Sequence, residues 1–414
     1  MISTQKNINV LFYLPELDQR KGGMRQYAAC LLHLFCEFPE RYTFFIGHEI
    51  DDPIVIQIIN NNSRFKIVSR KSYKVHVFEK INYHLTVILK KLVNNFFKLE
   101  LKYKQPPDPL NKLILSNKID IFHCPYQYIP VAENVKLICT MHDVQELYFP
   151  EFFSAAVRAS RAVDYHDYIR RADAVIVSYT HVKNDIIKYF NKEPNDVYVV
   201  LMKMDNLWFS KFMGKSAIGN RPMAESMPDS YLFYPANAWK HKNHEALIKS
   251  VYLLKREKNI LIKVVFSGDN ANDWGAYLKA LVVEYELESQ FMFLGIIDEE
   301  QLYKAYINAR GIVIPTLYEA GSFPLIESIL MQLPVICSNV TSLPETIGKE
   351  DFLFDPSNIQ DIADKVEKIW LDNDFRIAAK QNTLAQQDRL INTGASVVIE
   401  NLYKKLLGEM SQVI

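Results

Sequence analysis

Residues 311–327 read GIVIPTLYEAGSFPLIE. The apolar run Gly311–Pro315 predicts a buried strand, and the small residues after Glu319 predict a tight loop. Ser322 and Pro324 mark the start of a helix, because serine caps helices and proline is accepted in their first turn. A strand, a loop and a helix in this order form the unit from which parallel α/β sheets are built.

The start of this predicted helix offers free backbone N–H groups at Gly321, Ser322 and Phe323. The helix dipole makes that end positive, so a phosphate group is the expected ligand. Glu319 precedes the turn and Glu327 lies one turn inside the helix, so both carboxylates can face a cleft at the carboxyl end of the sheet. Carboxylates only accept hydrogen bonds, which suits the hydroxyls of a sugar and a ribose. The alternative is a pair of solvated glutamates beside an ordinary turn.

Similar apolar runs alternate with helix-period segments along nearly the whole chain, which predicts two doubly wound parallel sheets in an α/β fold. Most runs are continuous, as in strands buried on both faces. Scattered Gly and Pro in residues 205–230 predict a linker between the sheets. The predicted strands are Ile8–Leu14, Tyr42–Ile46, Ile119–His123, Leu137–Met141, Ala174–Val177, Tyr231–Tyr234, Ile262–Ser267, Phe291–Leu294, Gly311–Pro315 and Pro334–Ser338.

Composition sets limits on the class of protein. The 414 residues hold 48 basic and 48 acidic side chains, and this zero balance argues against a dedicated nucleic-acid binder. The 5 cysteines are scattered without C-x-x-C spacing, which favours reduced thiols over disulfides or a zinc site. The apolar run at the N-terminus stops at Pro15, too short for the core of a signal peptide, and no apolar stretch is long enough to span a membrane. We expect a soluble cytoplasmic protein.

Residues 76–104 predict a basic amphipathic helix, with six lysines against two glutamates. Such a helix could lie in a bilayer interface and attract anionic lipid. The alternative is an ordinary helix packed on its own sheet with a solvated lysine face. Its apolar stripe consists of Phe78, Ile81, Leu85, Ile88, Leu92, Phe96, Leu99 and Tyr103.

Glu319 and Glu327, with seven residues between them, resemble the E-x7-E motif of retaining glycosyltransferase family 4. That family has the GT-B fold, in which two Rossmann-like domains face each other across a cleft. The resemblance is continuous over the C-terminal half and patchy over the N-terminal half. Further similar segments are Leu333–Ser338, Leu343–Glu345 and Asp351–Pro356.

The resemblance implies three parts. Residues 1–203 would form an acceptor-binding domain and residues 204–390 a nucleotide-sugar-binding domain. Residues 391–414 would hold a helix that crosses back to the first domain, with Ala395–Leu407 as the candidate.

A second matching segment is the loop from Tyr234 to His244. In the family, an Arg and a Lys five residues apart grip the donor's diphosphate in this loop. Lys242 matches the Lys, but Asn237 stands at the position of the Arg. The H-K-N-H sequence of residues 241–244 is similar to a subset of the family, many of whose members add mannose or related sugars during surface-polysaccharide synthesis. A solvated basic turn is the alternative.

Three weaker matches complete the set of candidate residues. The loop at Gly295 and Ile296 resembles the one whose backbone reads the nucleobase in relatives. Gly22 and Gly23, between the first strand and a helix, would let the backbone approach phosphate or acceptor, although a simple turn is an equal alternative. His142, after a strand, resembles the family histidine that contacts the donor sugar. A structural hydrogen bond is its alternative.

The resemblance implies roles for each candidate. The catalytic residues would be Glu319, which orients the sugar hydroxyls, Lys242, which holds the diphosphate, and His142, which contacts the sugar from across the cleft. Glu327 would hold the ribose, and the amides of the following loop and helix start would complete the phosphate contacts. No D-x-D motif lies at a strand end, so we expect no metal and no cofactor besides the nucleotide-sugar substrate.

The implied activity is transfer of a hexosyl unit, mannose or another hexose such as rhamnose, to a glycan hydroxyl in lipopolysaccharide, O-antigen or capsule synthesis. The expected partners are a nucleotide-diphosphate sugar, a glycan or lipid-linked glycan, and a membrane surface reached through residues 76–104. That surface would be the inner face of the cell membrane. Two alternatives stay open: a sugar-nucleotide epimerase or hydrolase of the same fold, and a non-catalytic partner subunit.

Overall fold

The computed structural model contains two parallel sheets flanked by helices, as the sequence predicts. The first sheet takes its strands from residues 8–199 and the second from residues 232–354. The structure describes residues 6–14, 22–48, 53–73, 81, 85–90, 93, 108–204, 207–213 and 227–409.

The first sheet has seven strands in the order β3-β2-β1-β4-β5-β6-β7, and every described pairing is parallel. The order reverses between β1 and β4, so a crevice forms beyond their carboxyl ends. Central strands such as β4 and β6 are buried along their whole length. The strands are β1 Ile8–Leu14, β2 Tyr42–His48, β3 Phe65–Val68, β4 Ile121–Cys124, β5 Lys136–Thr140, β6 Ala174–Val177 and β7 Val197–Val199.

The second sheet has six strands in the order β10-β9-β8-β11-β12-β13, again with parallel pairing. Its order reverses between β8 and β11, which places a second crevice beyond these two strands. The strands are β8 Leu232–Pro235, β9 Val264–Ser267, β10 Phe291–Phe293, β11 Gly311–Ile314, β12 Val335–Ser338 and β13 Leu353–Phe354.

Helices connect the parallel strands and cover both faces of each sheet, because parallel pairing requires crossovers. In the first half they are α1 Gly22–Phe35, α2 Pro53–Asn60, α3 Pro109–Ser116, α4 Gln145–Tyr148, α5 Ala155–Arg171 and α6 Thr180–Phe190. In the second half they are α7 His244–Lys258, α8 Asp273–Glu284, α9 Glu299–Ile307, α10 Phe323–Leu330, α11 Leu343–Ile347, α12 Ile359–Leu371, α13 Asn373–Ile391 and α14 Ala395–Leu406.

Every predicted strand is present, with ends that differ by at most two residues. Three short strands were not predicted: β3, β7 and β13. All three lie at the edge of a sheet. Two of the four residues of β3 are exposed, and β7 and β13 are only three and two residues long.

Helix α14 packs on the first sheet although it follows the second in the chain. The Tyr403 hydroxyl lies 2.7 Å from His123 Nδ1 on β4, and both residues are fully buried. The Tyr403 ring also lies edge-on to Phe38, with centroids 5.8 Å apart. Lys405 donates to the Tyr198 hydroxyl on β7 at 2.5 Å. The limits of the three predicted parts, at 203/204 and 390/391, stay predictions.

Two predicted segments lie largely outside the described residues. Of the amphipathic segment 76–104, only residues 81, 85–90 and 93 are described. Of the linker 205–230, residues 205–206 and 214–226 are outside. None of the helices that the structure describes combines the length and the apolar character needed to cross a bilayer.

Candidate active site

Two loops of the second sheet meet where its strand order reverses. The loop after β8 carries Lys242, and the loop after β11 carries Glu319. The Lys242 ammonium lies 2.5 Å from Glu319 Oε1, and the two side chains are 15% and 10% exposed. The structure therefore joins, in one ion pair, two residues that the sequence interpretation assigned to separate parts of the donor.

Hydrogen bonds hold the backbone of both loops in place. The carbonyl of His241 accepts from Leu317 N at 2.8 Å and from Thr316 Oγ1 at 2.9 Å, which ties one loop to the other. The Glu319 amide donates to Thr341 Oγ1 at 3.1 Å. Because the main chain is fixed on both sides, the side chains of the ion pair are the parts left to rearrange when a ligand enters.

Asn243 fastens the lysine loop to the end of β11. Its φ of 59° is left-handed, a conformation that asparagine adopts more readily than most residues. Its Nδ2 donates to the carbonyls of Pro315 and Pro356, each at 2.9 Å. Sequence reasoning treated this residue only as part of the H-K-N-H pattern, and the structure gives it a positioning task.

Two other basic side chains of this segment, His244 and Lys240, contact aromatic rings instead of Glu319. His244 is 1% exposed and packs its ring against Tyr234 and Phe266, and burial lowers its pKa to about 3. Lys240 lies over the ring of Trp274, 5.3 Å from the centroid. Lys242 is therefore the cation of the loop that pairs with the acidic side chain of the crevice.

Asn237, at the position where the resembled family has an Arg, makes a contact within the protein. Its Oδ1 accepts from the Asp269 amide at 2.8 Å, which joins the ends of β8 and β9. A Cβ on neighbouring Gly268 would come within 2.8 Å of the Asn237 backbone nitrogen, so the two loops are closely packed. The binding of a donor by Asn237 stays a prediction, and its carboxamide oxygen already has a partner.

Glu327 lies in a different environment from Glu319. Its Oε1 accepts from Trp208 Nε1 at 2.7 Å and its Oε2 from the Tyr306 hydroxyl at 2.6 Å. The side chain is 6% exposed, and burial raises its pKa while the two hydrogen bonds oppose that rise. The two carboxylates of the motif are thus held by different partners, one by a cation and the other by neutral donors.

The first turn of α10 faces the first half of the chain. A Cβ at Gly321 would lie 2.9 Å from the Tyr179 ring, so this position leaves no room for a side chain. Ser322 precedes the helix, but its side chain makes no capping bond. Its hydroxyl is buried and has no hydrogen-bond partner among the described residues. The predicted capping by this serine is therefore not seen.

The glycine pair of the first half lies at the start of α1, which begins at Gly22. A Cβ at Gly23 would come within 2.9 Å of the Phe323 ring. The helix start of one half thus approaches the helix start of the other, and the structure brings these predicted residues together.

His142 and Asp143 follow β5 on the first-domain side. His142 Nε2 lies 2.7 Å from the carbonyl of Pro125, and its ring stands edge-on to Tyr27 at 4.8 Å. Because a carbonyl oxygen only accepts, Nε2 is the donor of this bond. Burial lowers the pKa of His142, which favours the neutral ring, and in that form Nδ1 is an acceptor. Burial raises the pKa of Asp143 to about 6, against the pull of Arg161.

Gly295 and Ile296, the predicted base-reading loop, lie at an open edge of the second sheet. Gly295 has a φ of 68°, and a Cβ there would meet no atom within 4 Å. Ile296 is 80% exposed. The Gly295 carbonyl accepts from Gly268 N at 2.8 Å, which fixes this loop beside the loop that follows β9.

Sequence reasoning missed three side chains at the site. Trp208 lies in the linker, where no periodicity marks it, and Tyr306 reads only as a core residue of α9. His181, at the start of α6, has no hydrogen-bond partner for either ring nitrogen among the described residues. Its ring lies 6.3 Å from that of Tyr318, and burial lowers its pKa to about 4. Within the described ranges no three His, Cys, Asp or Glu side chains cluster as metal ligands.

Comparison with known proteins agrees with this arrangement. Residues 221–386 match the family model of glycosyl transferases, group 1. O-antigen chain mannosyltransferase B of Escherichia coli is 25% identical over 289 residues, which cover 69% of this chain and 74% of the relative. The serotype-specific mannosyltransferase WbdA of Escherichia coli is 27% identical over 62% of this chain, and the match spans only 32% of that relative.

Solved structures show the same fold. The crystal structure of Anabaena HepE in complex with UDP and glucose superposes with a TM-score of 0.62 at 14% identity, covering 95% of this chain and 99% of that one. The predicted GT-B architecture is confirmed. The matched residues include both glutamates of the motif and Lys242. We conclude that the chain is a glycosyltransferase of the GT-B fold, in which residues 221–386 match the model of glycosyl transferases, group 1.

Proposed function

We propose that the protein transfers a hexosyl unit, mannose being favoured, from a nucleotide-diphosphate sugar to a glycan hydroxyl, with retention of the anomeric configuration. The observation that carries this proposal is the Lys242–Glu319 ion pair at the strand-order reversal of the second sheet. A nearly buried pair of opposite charges, each on a well-fixed loop, offers one partner for a diphosphate and one for sugar hydroxyls.

Binding of the donor would redistribute this ion pair. The diphosphate draws the Lys242 ammonium, and the amides at the start of α10 add their positive end. Glu319 is then free to accept from the hydroxyls of the sugar. His142 faces the sugar from the other half through its Nδ1 acceptor.

The transfer step needs no protein nucleophile in this proposal. The bond between the anomeric carbon and the diphosphate oxygen breaks, and its electron pair leaves with the diphosphate. The acceptor hydroxyl attacks on the same face, and its proton passes to a phosphate oxygen of the departing group. Lys242 and the helix start stabilise the charge that develops on that group, and one such preorganised donor contributes about 10²–10³ in rate.

The sugar and the product are inferred from the relatives. Two of them are named as mannosyltransferases, and one of these acts on the O-antigen chain. The pair Asn237 and Lys242, instead of Arg and Lys, is also the pattern of the H-K-N-H subset. We therefore favour GDP-mannose as donor and a lipopolysaccharide, O-antigen or capsule glycan as acceptor.

A thermal-shift screen with GDP, UDP and dTDP sugars tests the proposal, because a ligand that binds the native state raises the melting temperature. We expect one nucleotide sugar to raise it, and Lys242→Met to abolish the shift. Lys240→Met, in the same loop but stacked on Trp274, is the matched control and should keep the shift.

Donor turnover with and without acceptor separates the rival functions. Consumption of the donor without any acceptor would favour an epimerase or hydrolase. Binding of the sugar nucleotide without turnover on any glycan acceptor would favour the non-catalytic subunit. Formation of the β-linked product from an α-linked donor would contradict retention.

We also propose that no divalent metal is needed, because Lys242 and the helix start supply the positive charge at the diphosphate. Activity should survive dialysis against EDTA unchanged. Strong inhibition that added Mn²⁺ or Mg²⁺ reverses would contradict this part of the proposal and leave the glycosyl transfer itself intact.

We further propose that the protein binds the cytoplasmic face of the membrane through residues 76–104. Of the predicted stripe, Ile81, Leu85 and Ile88 are described, and each is at least half exposed. An exposed apolar face beside lysines suits an anionic bilayer surface. The fraction of protein that sediments with anionic vesicles should fall when Lys90 and Lys91 are both replaced by Gln. The same replacement of Lys258 and Lys380 is the control and should leave that fraction unchanged. Equal loss in both variants would contradict the role of this segment.

A further inference from the structure

The surroundings of Glu327 are unusual for a buried carboxylate. Only 6% of the residue is exposed, yet its described partners are two neutral groups, the indole N–H of Trp208 and the hydroxyl of Tyr306. Among the described residues, neither hydrogen-bond partner of its carboxylate carries a positive charge. A buried carboxylate without a cation costs free energy unless its oxygens are hydrogen-bonded, so these two donors hold it in place.

The two donors leave part of the carboxylate unused. An ionised carboxylate has about four acceptor sites, and Trp208 and Tyr306 each take one, on different oxygens. Two bonds on different oxygens also fix the plane of the group. The remaining acceptor sites can therefore meet two hydroxyls with a set spacing, such as a vicinal diol.

Both donors are themselves well anchored. Tyr306 is fully buried on α9 and stands edge-on to Phe233, with ring centroids 5.2 Å apart. Trp208 belongs to residues 207–213, which we call the linker strap. Phe212 of the strap stacks on Tyr303, also on α9, with centroids 5.4 Å apart.

An ion pair adds a second anchor to the strap, between Lys211 and Glu299 at the start of α9. One helix thus carries Tyr306 and, through the strap, also sets the position of Trp208. The linker strap, which connects the two halves of the chain, therefore forms part of the surroundings of Glu327.

We propose that Trp208 and Tyr306 are positioning residues that orient Glu327 toward the 2′- and 3′-hydroxyls of the donor ribose and so make the site selective for ribonucleotides. This inference rests on the proposed glycosyl transfer and on the ribose-binding role that the family resemblance implies for Glu327. The two residues act through the carboxylate, so their loss affects the recognition of the ribose and leaves the diphosphate contacts of Lys242 unchanged.

Calorimetric titration with ribo- and 2′-deoxyribonucleoside diphosphates tests the inference. The probes are GDP against 2′-deoxy-GDP and UDP against 2′-deoxy-UDP. A hydrogen bond to a charged group predicts that the wild-type protein prefers the ribo form by about tenfold or more. In Trp208→Phe and Tyr306→Phe, which keep an aromatic ring, we expect this ratio to fall below about threefold, with the affinity for the deoxy form little changed.

Tyr303→Phe is the matched control, because Tyr303 lies one turn from Tyr306 on α9 and contacts the strap without touching Glu327. It should keep the wild-type ratio. Glu327→Gln gives the ratio expected when the charged acceptor is lost, and thermal melts verify that each variant is folded.

Three results would overturn the inference. If both donor variants kept the full ribo preference while Glu327→Gln lost it, Glu327 would bind ribose without help from Trp208 and Tyr306. If Trp208→Phe bound both the ribo and the deoxy form more tightly, the indole would block the ribose site instead of positioning Glu327. If the wild-type protein bound both forms equally, the ribose role of Glu327 would fail, and the inference with it.

Discussion

Glu319 and Glu327 are the same residue type on one loop–helix unit, and the structure holds them in opposite ways. Glu319 contacts a long, flexible cation, whereas Glu327 contacts two rigid neutral donors. A lysine can leave its partner at little steric cost, but the indole of the linker strap and the phenol on α9 cannot. One carboxylate is therefore able to change partners during a reaction cycle, and the other is a fixed part of the binding surface.

Substitution of the two glutamates tests this difference most strongly. Glu319→Gln should lower kcat by about 10²–10³, because the charged acceptor for the sugar hydroxyls is lost where charge develops. Glu327→Gln should mainly raise the KM for the donor, by about tenfold to a hundredfold. Steady-state kinetics with the donor found in the thermal-shift screen measure both values.

Asp364→Asn, on α12, is a control that should leave kcat and KM unchanged. If Glu327→Gln lowered kcat as strongly as Glu319→Gln and left KM unchanged, the two carboxylates would not differ in role as proposed.

The lysine loop should be rigid even though its ammonium moves. Asn243→Ala removes two hydrogen bonds and leaves a residue with Cβ at a φ of 59°, so we expect the free energy of unfolding to fall by about 2–3 kcal/mol. Urea denaturation measures this change. Asn243→Gly relieves the backbone strain but not the loss of hydrogen bonds, and should lie between the alanine variant and the wild type.

A loss below about 0.5 kcal/mol for the alanine variant, which is usual for surface substitutions, would mean that the loop is not held by this residue. In that case the backbone beside Lys242 would move together with the ammonium.

Acidification should destabilise the folded protein through His244, the first residue of α7, by an amount similar to that of the alanine variant. The folded pKa of His244, about 3, lies below its ordinary value of 6.5. The neutral form is therefore favoured by folding, and its stabilisation is complete above pH 6.5 and is lost as the pH falls toward 3. The cost approaches about 1.4 kcal/mol per pH unit for one such group.

His244→Phe should show a shallower fall in the urea midpoint between pH 6.5 and pH 4.5 than the wild type does. His166→Phe, at an exposed position on α5, should keep the wild-type slope. An identical slope in the His244 variant would remove this histidine as a source of acid sensitivity.

The sequence was sufficient for the parts of the molecule that depend on local pattern. Continuous apolar runs such as Ala174–Val177 mark buried strands, and a strand, loop and helix around Glu319 mark the ligand-binding edge of the second sheet. The edge strand Phe65–Val68 was not predicted, because two of its four residues are exposed and its sequence pattern does not distinguish it from a loop.

Contacts between distant residues were out of reach of the same reasoning. Lys242 and Glu319 are 77 residues apart, and only the strand order reveals that their loops are neighbours. Trp208 sits in a segment without periodicity, so its bond to Glu327 has no sequence pattern at all. The family motif named the glutamates, but tertiary packing determines what each of them contacts.

The return of α14 to the first sheet has a consequence for biosynthesis. Tyr403 is fully buried against His123 and Phe38, so the first half lacks part of its core until residues near position 403 have left the ribosome. Domains generally fold in the order of their synthesis, N-terminal first. Here the earliest-made half stays incomplete while the later half emerges and folds, and the nascent chain exposes an apolar groove that its own tail finally fills.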